Sequence, residues 1–202
     1  MSAAPARFHV DVVSDVVCPW CFIGKHRLEA AIAEWRRGDP QASFVVDWHP
    51  FQLNPDLPPE GVDRRAYLEA KFGGPERAAT IYERVRAAGR TAGIEFEFDR
   101  IARQPNTLDA HRLVSWAQAR RDAGDLVEAL FRAYFLEGRY VGDRAVLATI
   151  AGEAGFDAAA ARAMLDSDAL AAEMSAMDRR VRELGVTGVP YFILNDRIAI
   201  EG

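Results

Sequence analysis

Residues 8–21 read Phe8-His9-Val10-Asp11-Val12-Val13-Ser14-Asp15-Val16-Val17-Cys18-Pro19-Trp20-Cys21. Phe8–Val13 is β-branched and apolar, the pattern of a short buried strand. A helical pattern follows the cysteines to about Arg37, and Gly38-Asp39-Pro40 stops it. Phe44, Val46 and Trp48 then alternate with Val45, Asp47 and His49 as a second strand. The first fifty residues thus predict β–α–β, with a crossover long enough for parallel pairing.

This order feeds Cys18 into the start of a helix, where unpaired amides and the helix dipole favour negative charge. A thiol there is expected to ionise readily and to act as a nucleophile. Pro19 suits the first helical turn, where its missing N–H costs nothing. Cys21 shares a helix face with Leu28, Ile32 and Trp35, at offsets of 7, 11 and 14, which predicts a core-facing stripe. Gly24 falls near that stripe and allows close backbone approach. The two thiols are therefore unequal: Cys18, at an exposed tip, attacks, and shielded Cys21 resolves the mixed disulfide. They are the only two cysteines, so a disulfide scaffold is excluded. No second cysteine pair or close histidine pair completes a zinc set, and no metal is expected.

Farther out, Pro50 to Gly61 carries four prolines and predicts an irregular connection. Helical patterns then cover Asp63–Phe72, Pro75–Ala92, Thr107–Ala123, Asp125–Glu137, Asp143–Ala154, Asp157–Leu165 and Asp168–Leu184. Asn106 with Asp109 resembles a capping box. Ile94, Phe96 and Phe98 alternate over a segment short enough for an extended loop. After a turn-rich link to Val189-Pro190, Tyr191–Leu194, Asn195-Asp196 and Arg197–Ile200 predict a β-hairpin. So long a stretch between paired strands is an inserted subdomain rather than a loop. The expected division is 1–62 with 171–202 as one α/β unit, and 63–170 as an all-helical insertion.

Of the 202 residues 50% are hydrophobic and 27% charged, a globular composition with enough apolar side chains for a core. The net charge of -5 disfavours nucleic acid as a partner. No stretch is apolar enough for a membrane span, and Met1–Val10 has no secretory apolar core, so a cytoplasmic location is expected.

The strand into Cys18-Pro19-Trp20-Cys21, the helical insertion, and Val189-Pro190 before a hairpin resemble the thioredoxin fold in its DsbA-type version. Asp11–Gly24, Phe51-Gln52-Leu53-Asn54-Pro55 and Pro105-Asn106-Thr107-Leu108-Asp109-Ala110-His111-Arg112 are similar to stretches of the FrnE-like branch. The resemblance runs over essentially the whole chain. It implies a thioredoxin-like α/β fold and a dithiol–disulfide oxidoreductase of the DsbA family, acting on disulfides or thiols of proteins or small molecules. It implies no cofactor beyond the Cys18–Cys21 pair, a thiol electron donor or acceptor, and glutathione as a candidate co-substrate; it leaves room for a homodimer.

The resemblance also assigns residues. Pro19 and Trp20 support the active site. Pro190 matches the cis-proline packed against the cysteines, which frees the Val189 backbone to pair with an extended substrate; from the sequence alone it reads equally as an ordinary strand-start proline. Asn106 and His111 lie near the cysteines, where His111 is either a substrate contact or a partly buried helix histidine. Two departures stand out. Thioredoxin and DsbA carry a buried acid six residues before the first cysteine, where this chain has Val12, and DsbA has Pro-His where this chain has Pro19-Trp20. A couple less oxidising than that of DsbA is expected. Asp15, three residues before Cys18, reads first as a solvated turn residue and otherwise as one that caps the turn or exchanges protons. The rival class on this fold is the glutathione-dependent isomerases and kappa-type glutathione transferases, which usually have serine at the position of Cys18. The family also places a helix after the last strand, so a further C-terminal tail covering the sheet is expected.

Overall fold

The computed structural model describes residues 6–202. Strand β1 (Arg7–Ser14) leads through the Cys18 turn into α1 (Pro19–Gly38), and the chain returns as β2 (Ser43–Pro50). β1 and β2 pair in parallel, with Phe8 opposite Phe44 and Val12 opposite Trp48. At the other end of the sequence, α8 (Ala171–Glu183) precedes β5 (Tyr191–Leu194) and β6 (Ile198–Glu201). β5 runs antiparallel to β1, with Val12 opposite Phe192, and the sheet order is β2-β1-β5-β6. Asn195 and Asp196 make the tight turn before β6, both at positive φ (51° and 55°), which their short polar side chains tolerate.

Alternation along β1 gives each sheet face its own partner. Val10 and Val12 are buried in the main core, which α1 joins through Cys21, Phe22 and Ile23. Val13, on the other face, packs with Phe51 and with Val181 of α8. This is the thioredoxin-like core expected from the sequence, with the helical insertion set between β2 and α8. The Trp48 amide on edge strand β2 donates to Gln118 Oε1 (2.6 Å), and Gln118 Nε2 returns a bond to the Trp48 carbonyl (3.1 Å).

The insertion holds α2 (Arg64–Phe72), α3 (Pro75–Thr91), a 3-10 turn at Phe98–Arg100, α4 (Leu108–Gln118), α5 (Gly124–Phe135), α6 (Arg144–Glu153) and α7 (Ala158–Asp166). Asp63, Asp143 and Asp157 cap α2, α6 and α7 with their carboxylates, and Pro75 opens α3. A two-residue ladder, β3 (Val62–Asp63) with β4 (Arg103–Gln104), joins the two ends of the α2–α3 lobe. Phe22 of α1 stacks on Phe131 of α5 (centroids 5.1 Å apart) and meets Phe96 and Phe135 edge-on or offset, so one core spans sheet and insertion.

Several local expectations are corrected. α4 ends at Gln118, short of Ala123. Ile94–Phe98, by contrast, is the extended non-strand segment that the sequence allows: Ile94, Phe96 and Phe98 are buried, Glu95 and Glu97 are exposed, and the aromatic rings pack against α3 and α5. Asp109 does not cap α4; its carboxylate takes Arg112 and Arg144. Trp35 lies outside the core, half-exposed and edge-on to Phe8 near the start of β1 (4.9 Å).

Candidate active site

The β1–α1 turn is fixed by its own backbone. The Cys18 amide donates to the Asp15 carbonyl (3.0 Å), and the amides of Cys21 and Phe22 both return to the Cys18 carbonyl. Cys18 is the N-cap of α1 and Pro19 its first residue, as expected. Both thiols are free. Contrary to the expected exposed tip, Cys18 is only 4% exposed and Cys21 2%, while Trp20, at 41%, forms the outer corner. What covers Cys18 comes from the far end of the chain: its Sγ donates to the carbonyl oxygen of Val189 at 3.5 Å. The Val189–Pro190 peptide is cis.

The two thiols sit in different surroundings. Burial pushes the Cys21 thiol well above its ordinary value, and the neighbouring Cys18 thiol adds to that; the Asp15 backbone and the Ser14 side chain oppose it. Cys21 therefore keeps its proton. Gly24 meets the expected close approach: a Cβ there would lie 3.0 Å from both Phe192 Cζ and Pro190 Cγ. Beside it an apolar face opens to solvent, formed by Trp20, Leu28, Pro190, Phe192, Leu194 and Ile200. Ile198 and Ile200 on β6 are both more than half exposed.

Asn106 and His111 come near the cysteine turn but face inward. The Asn106 side chain accepts from Gln52 Nε2 (3.1 Å) and the Leu108 amide (3.0 Å), and donates to the carbonyls of Leu57 (2.8 Å) and Pro55 (3.3 Å). It pins the proline-rich loop to the start of α4. His111, on the first turn of α4, is buried with Nε2 3.3 Å from Asp15 Oδ1. Asp15 is corrected from a solvated to a fully buried residue, and its Oδ2 accepts the Leu53 amide (2.8 Å). The three stretches singled out in the sequence thus converge: the turn, the Phe51–Pro55 loop and the start of α4. Ser14, whose side chain opposes the rise of the Cys21 thiol, carried no signal beyond its place at the end of β1.

Among the described residues, His9, Asp11 and Asp47 could offer three ligand atoms to a cation. His9 there bonds Asp47 (2.7 Å) and His49 bonds Asp11 (2.7 Å), so two histidine–aspartate pairs account for the cluster. The bond to Asp47 raises the His9 imidazole above its usual range. No described helix is long and apolar enough to cross a membrane.

The sequence pattern of the DSBA-like thioredoxin domain matches residues 9–202. A probable DsbA oxidoreductase from Streptomyces coelicolor superimposes with a TM-score of 0.82 at 32% identity, over 96% of this chain and 83% of that one. The uncharacterized protein YwbO of Bacillus subtilis (strain 168) is 27% identical over 94% of this chain and 88% of its own. The cytosolic disulfide reductase DsbM from Pseudomonas aeruginosa, solved with GSH, shares the fold: TM-score 0.66, 21% identity, 96% of this chain and 89% of that one.

Proposed function

Because the chain belongs to the DSBA-like thioredoxin-domain family and is a dithiol–disulfide oxidoreductase working through its Cys18-Pro19-Trp20-Cys21 pair, we propose that Cys18 is the attacking thiol and Cys21 the resolving one. The observation that carries this division is the placement of Cys18 Sγ against the Val189 carbonyl, with protonated Cys21 behind it. The Cys18 thiolate attacks a substrate disulfide R–S–S–R′, forming Cys18–S–S–R and releasing R′–S⁻. Cys21 then loses its proton and attacks Cys18 Sγ, closing the Cys18–Cys21 disulfide and releasing R–S⁻. Both leaving thiolates are protonated, and two electrons have passed to the substrate.

Val189 and Pro190 form the substrate edge, where an extended segment pairs with backbone beside the cysteines. Pro19 and Trp20 shape the rim, and the apolar face from Trp20 to Ile200 receives substrate side chains. Asn106 we assign to holding the loop rather than to substrate, since its polar atoms are all engaged inside the fold. His111 belongs under the turn. The α/β unit is 1–62 with 171–202, and 63–170 is the insertion.

The similarity of Asp11–Gly24 and the two other stretches supports the FrnE-like branch and, with the cytosolic reductase on the same fold, a cytoplasmic protein that reduces or isomerises disulfides. Protein and small-molecule disulfides are its substrates, and glutathione fits as the thiol that re-reduces the pair. The exposed face of β5 and β6 suits a homodimer as well as a substrate.

Insulin reduction with glutathione as donor tests this reading. Cys18→Ser and Cys21→Ser are each expected to abolish it, with a wild-type potential more negative than the ≈ −120 mV of DsbA. A Cys21→Ser protein with full turnover and a bound glutathione thiolate would instead place the chain among the glutathione transferases.

A further inference from the structure

A cavity of about 130 Å³ lies between β2, α4 and α8, three elements that pack on one another. Two of the four methionines in the chain and two of its four histidines line it. Met174 and Met177 come from α8, His49 from β2 and His111 from α4. The methionines are three positions apart, so they share one face of their helix. His111 begins a stripe of α4 that continues along the wall through Val114, Ser115 and Gln118. Met174 and His111 are buried, whereas the His49 side chain is 30% exposed and stands on the solvent side.

Both imidazoles have a carboxylate behind them. His49 Nε2 bonds Asp11 Oδ1 (2.7 Å), and His111 Nε2 faces Asp15 Oδ1 at 3.3 Å. On neither ring does Nδ1 make a hydrogen bond among the described residues. A metal-binding histidine gives one nitrogen to the ion and the N–H of the other to a carboxylate, which fixes the tautomer and raises the basicity of the ligand nitrogen. His111 Nε2 and Asp15 Oδ1 are moreover buried without a hydrogen bond, a state that calls for a reason. An ion on Nδ1 supplies one: it places the His111 proton on Nε2, where that proton faces Oδ1.

We propose that His49, His111, Met174 and Met177 form a binding site for one soft monovalent cation, Cu(I). Thioether sulphur is neutral and polarisable, and it selects Cu(I) among the biological metals, while imidazole serves copper equally well. Zinc takes thiolate, imidazole and carboxylate ligands, so two thioethers argue against it. Four neutral ligands leave the single positive charge to be balanced by Asp11 and Asp15 behind the rings. Filling the core would explain the methionines alone. It does not explain two imidazoles, each backed by a carboxylate, on the same cavity. No motif announces the set, because its members come from three distant segments. The bound ion ties edge strand β2 to α4 and α8.

Cysteine thiols also take soft ions, so the test uses untagged protein with the Cys18–Cys21 disulfide closed. Ag(I) nitrate is the probe, since it stands in for Cu(I) and needs no reductant. Titration calorimetry is expected to find one Ag(I) per chain. Methyl NMR of labelled methionine should show the Met174 and Met177 signals moving while that of Met164 stays. Met174→Leu and Met177→Leu nearly conserve volume, so the ion-free variants should unfold close to the unaltered protein. Each is expected to weaken Ag(I) binding by at least about 10-fold, and Asp11→Asn, behind His49, by about 10–100-fold. Zn(II) should leave both methionine signals in place. Undiminished Ag(I) binding in the Met174→Leu/Met177→Leu double variant, movement of Met164 alone, or no binding by the unaltered protein overturns the proposal. Displacement of Ag(I) by an equal concentration of Zn(II) overturns the choice of a soft ion.

Discussion

The Cys18 thiol is bonded to the carbonyl of Val189, 171 residues away in sequence. That single contact brings the sulphur proposed to attack to the segment proposed to hold substrate backbone. A disulfide that reaches Cys18 is presented to both at once, so positioning and chemistry share one surface.

Cys21→Ser keeps the attacking thiol and removes the intramolecular exit. Mixed disulfides with glutathione or protein are expected to accumulate on Cys18, visible as mass adducts lost on reduction. Alkylation mapped by mass at neutral pH should label Cys18 before Cys21 in the reduced protein, because Cys21 holds its proton. The opposite order of labelling would reverse the assignment.

Gly24→Ala places a methyl 3.0 Å from Phe192 and Pro190. Helix propensity alone would gain about 1 kcal/mol from the change. Overpacking costs about 1–3 kcal/mol, and here both neighbours are rigid rings. Net destabilisation of roughly 1 kcal/mol is expected from denaturant titration, with slower insulin reduction as Pro190 is displaced. A more stable, fully active variant would show that the helix and the β5 edge are free to part.

Arg112 is 1% exposed and joins α4 to the α7–α8 connection. It pairs with Asp109 and donates to the carbonyls of Met164, Leu165, Ser167 and Ala169. Arg112→Ala strands these acceptors and is expected to cost about 3–5 kcal/mol in urea unfolding. Arg112→Lys should recover little, since a compact ammonium cannot span the planar fork.

The raised Cys21 thiol sets a pH slope on the reduced protein. The folded state holds this proton above the pH at which the unfolded chain releases it, so stability is full below the ordinary thiol range. As pH rises above that range the Cys21 share falls, by up to about 1.4 kcal/mol per pH unit. The oxidised protein has no such proton, and neither does Cys21→Ala. Unfolding of the reduced and oxidised forms between pH 7 and 10 checks this, and parallel curves would contradict it.

The helices were legible because their ends are punctuated. Asp143 and Asp157 sit where their carboxylates cap, and Pro75 opens its helix. The β3–β4 ladder was not, since two residues carry no period. The cysteine pair was readable from its spacing, but its burial was not, because the covering group is Val189. Asp15 read as solvated for the same reason: Leu53 and His111, which enclose it, arrive from two distant segments. Asn106 was found by position, yet nothing local tells whether an amide turns inward.

The position of β1 inside the sheet has a consequence in time. It pairs on one side with β2, made soon after it, and on the other with β5, made long after it. At about 5–20 residues per second, the 171 residues between Cys18 and Val189 take roughly 10–35 s to synthesise. During that interval the thiols have been made and their cover has not. The nascent chain carries a reactive dithiol with no pocket, and whatever disulfides surround the ribosome meet it before any substrate surface exists to select among them.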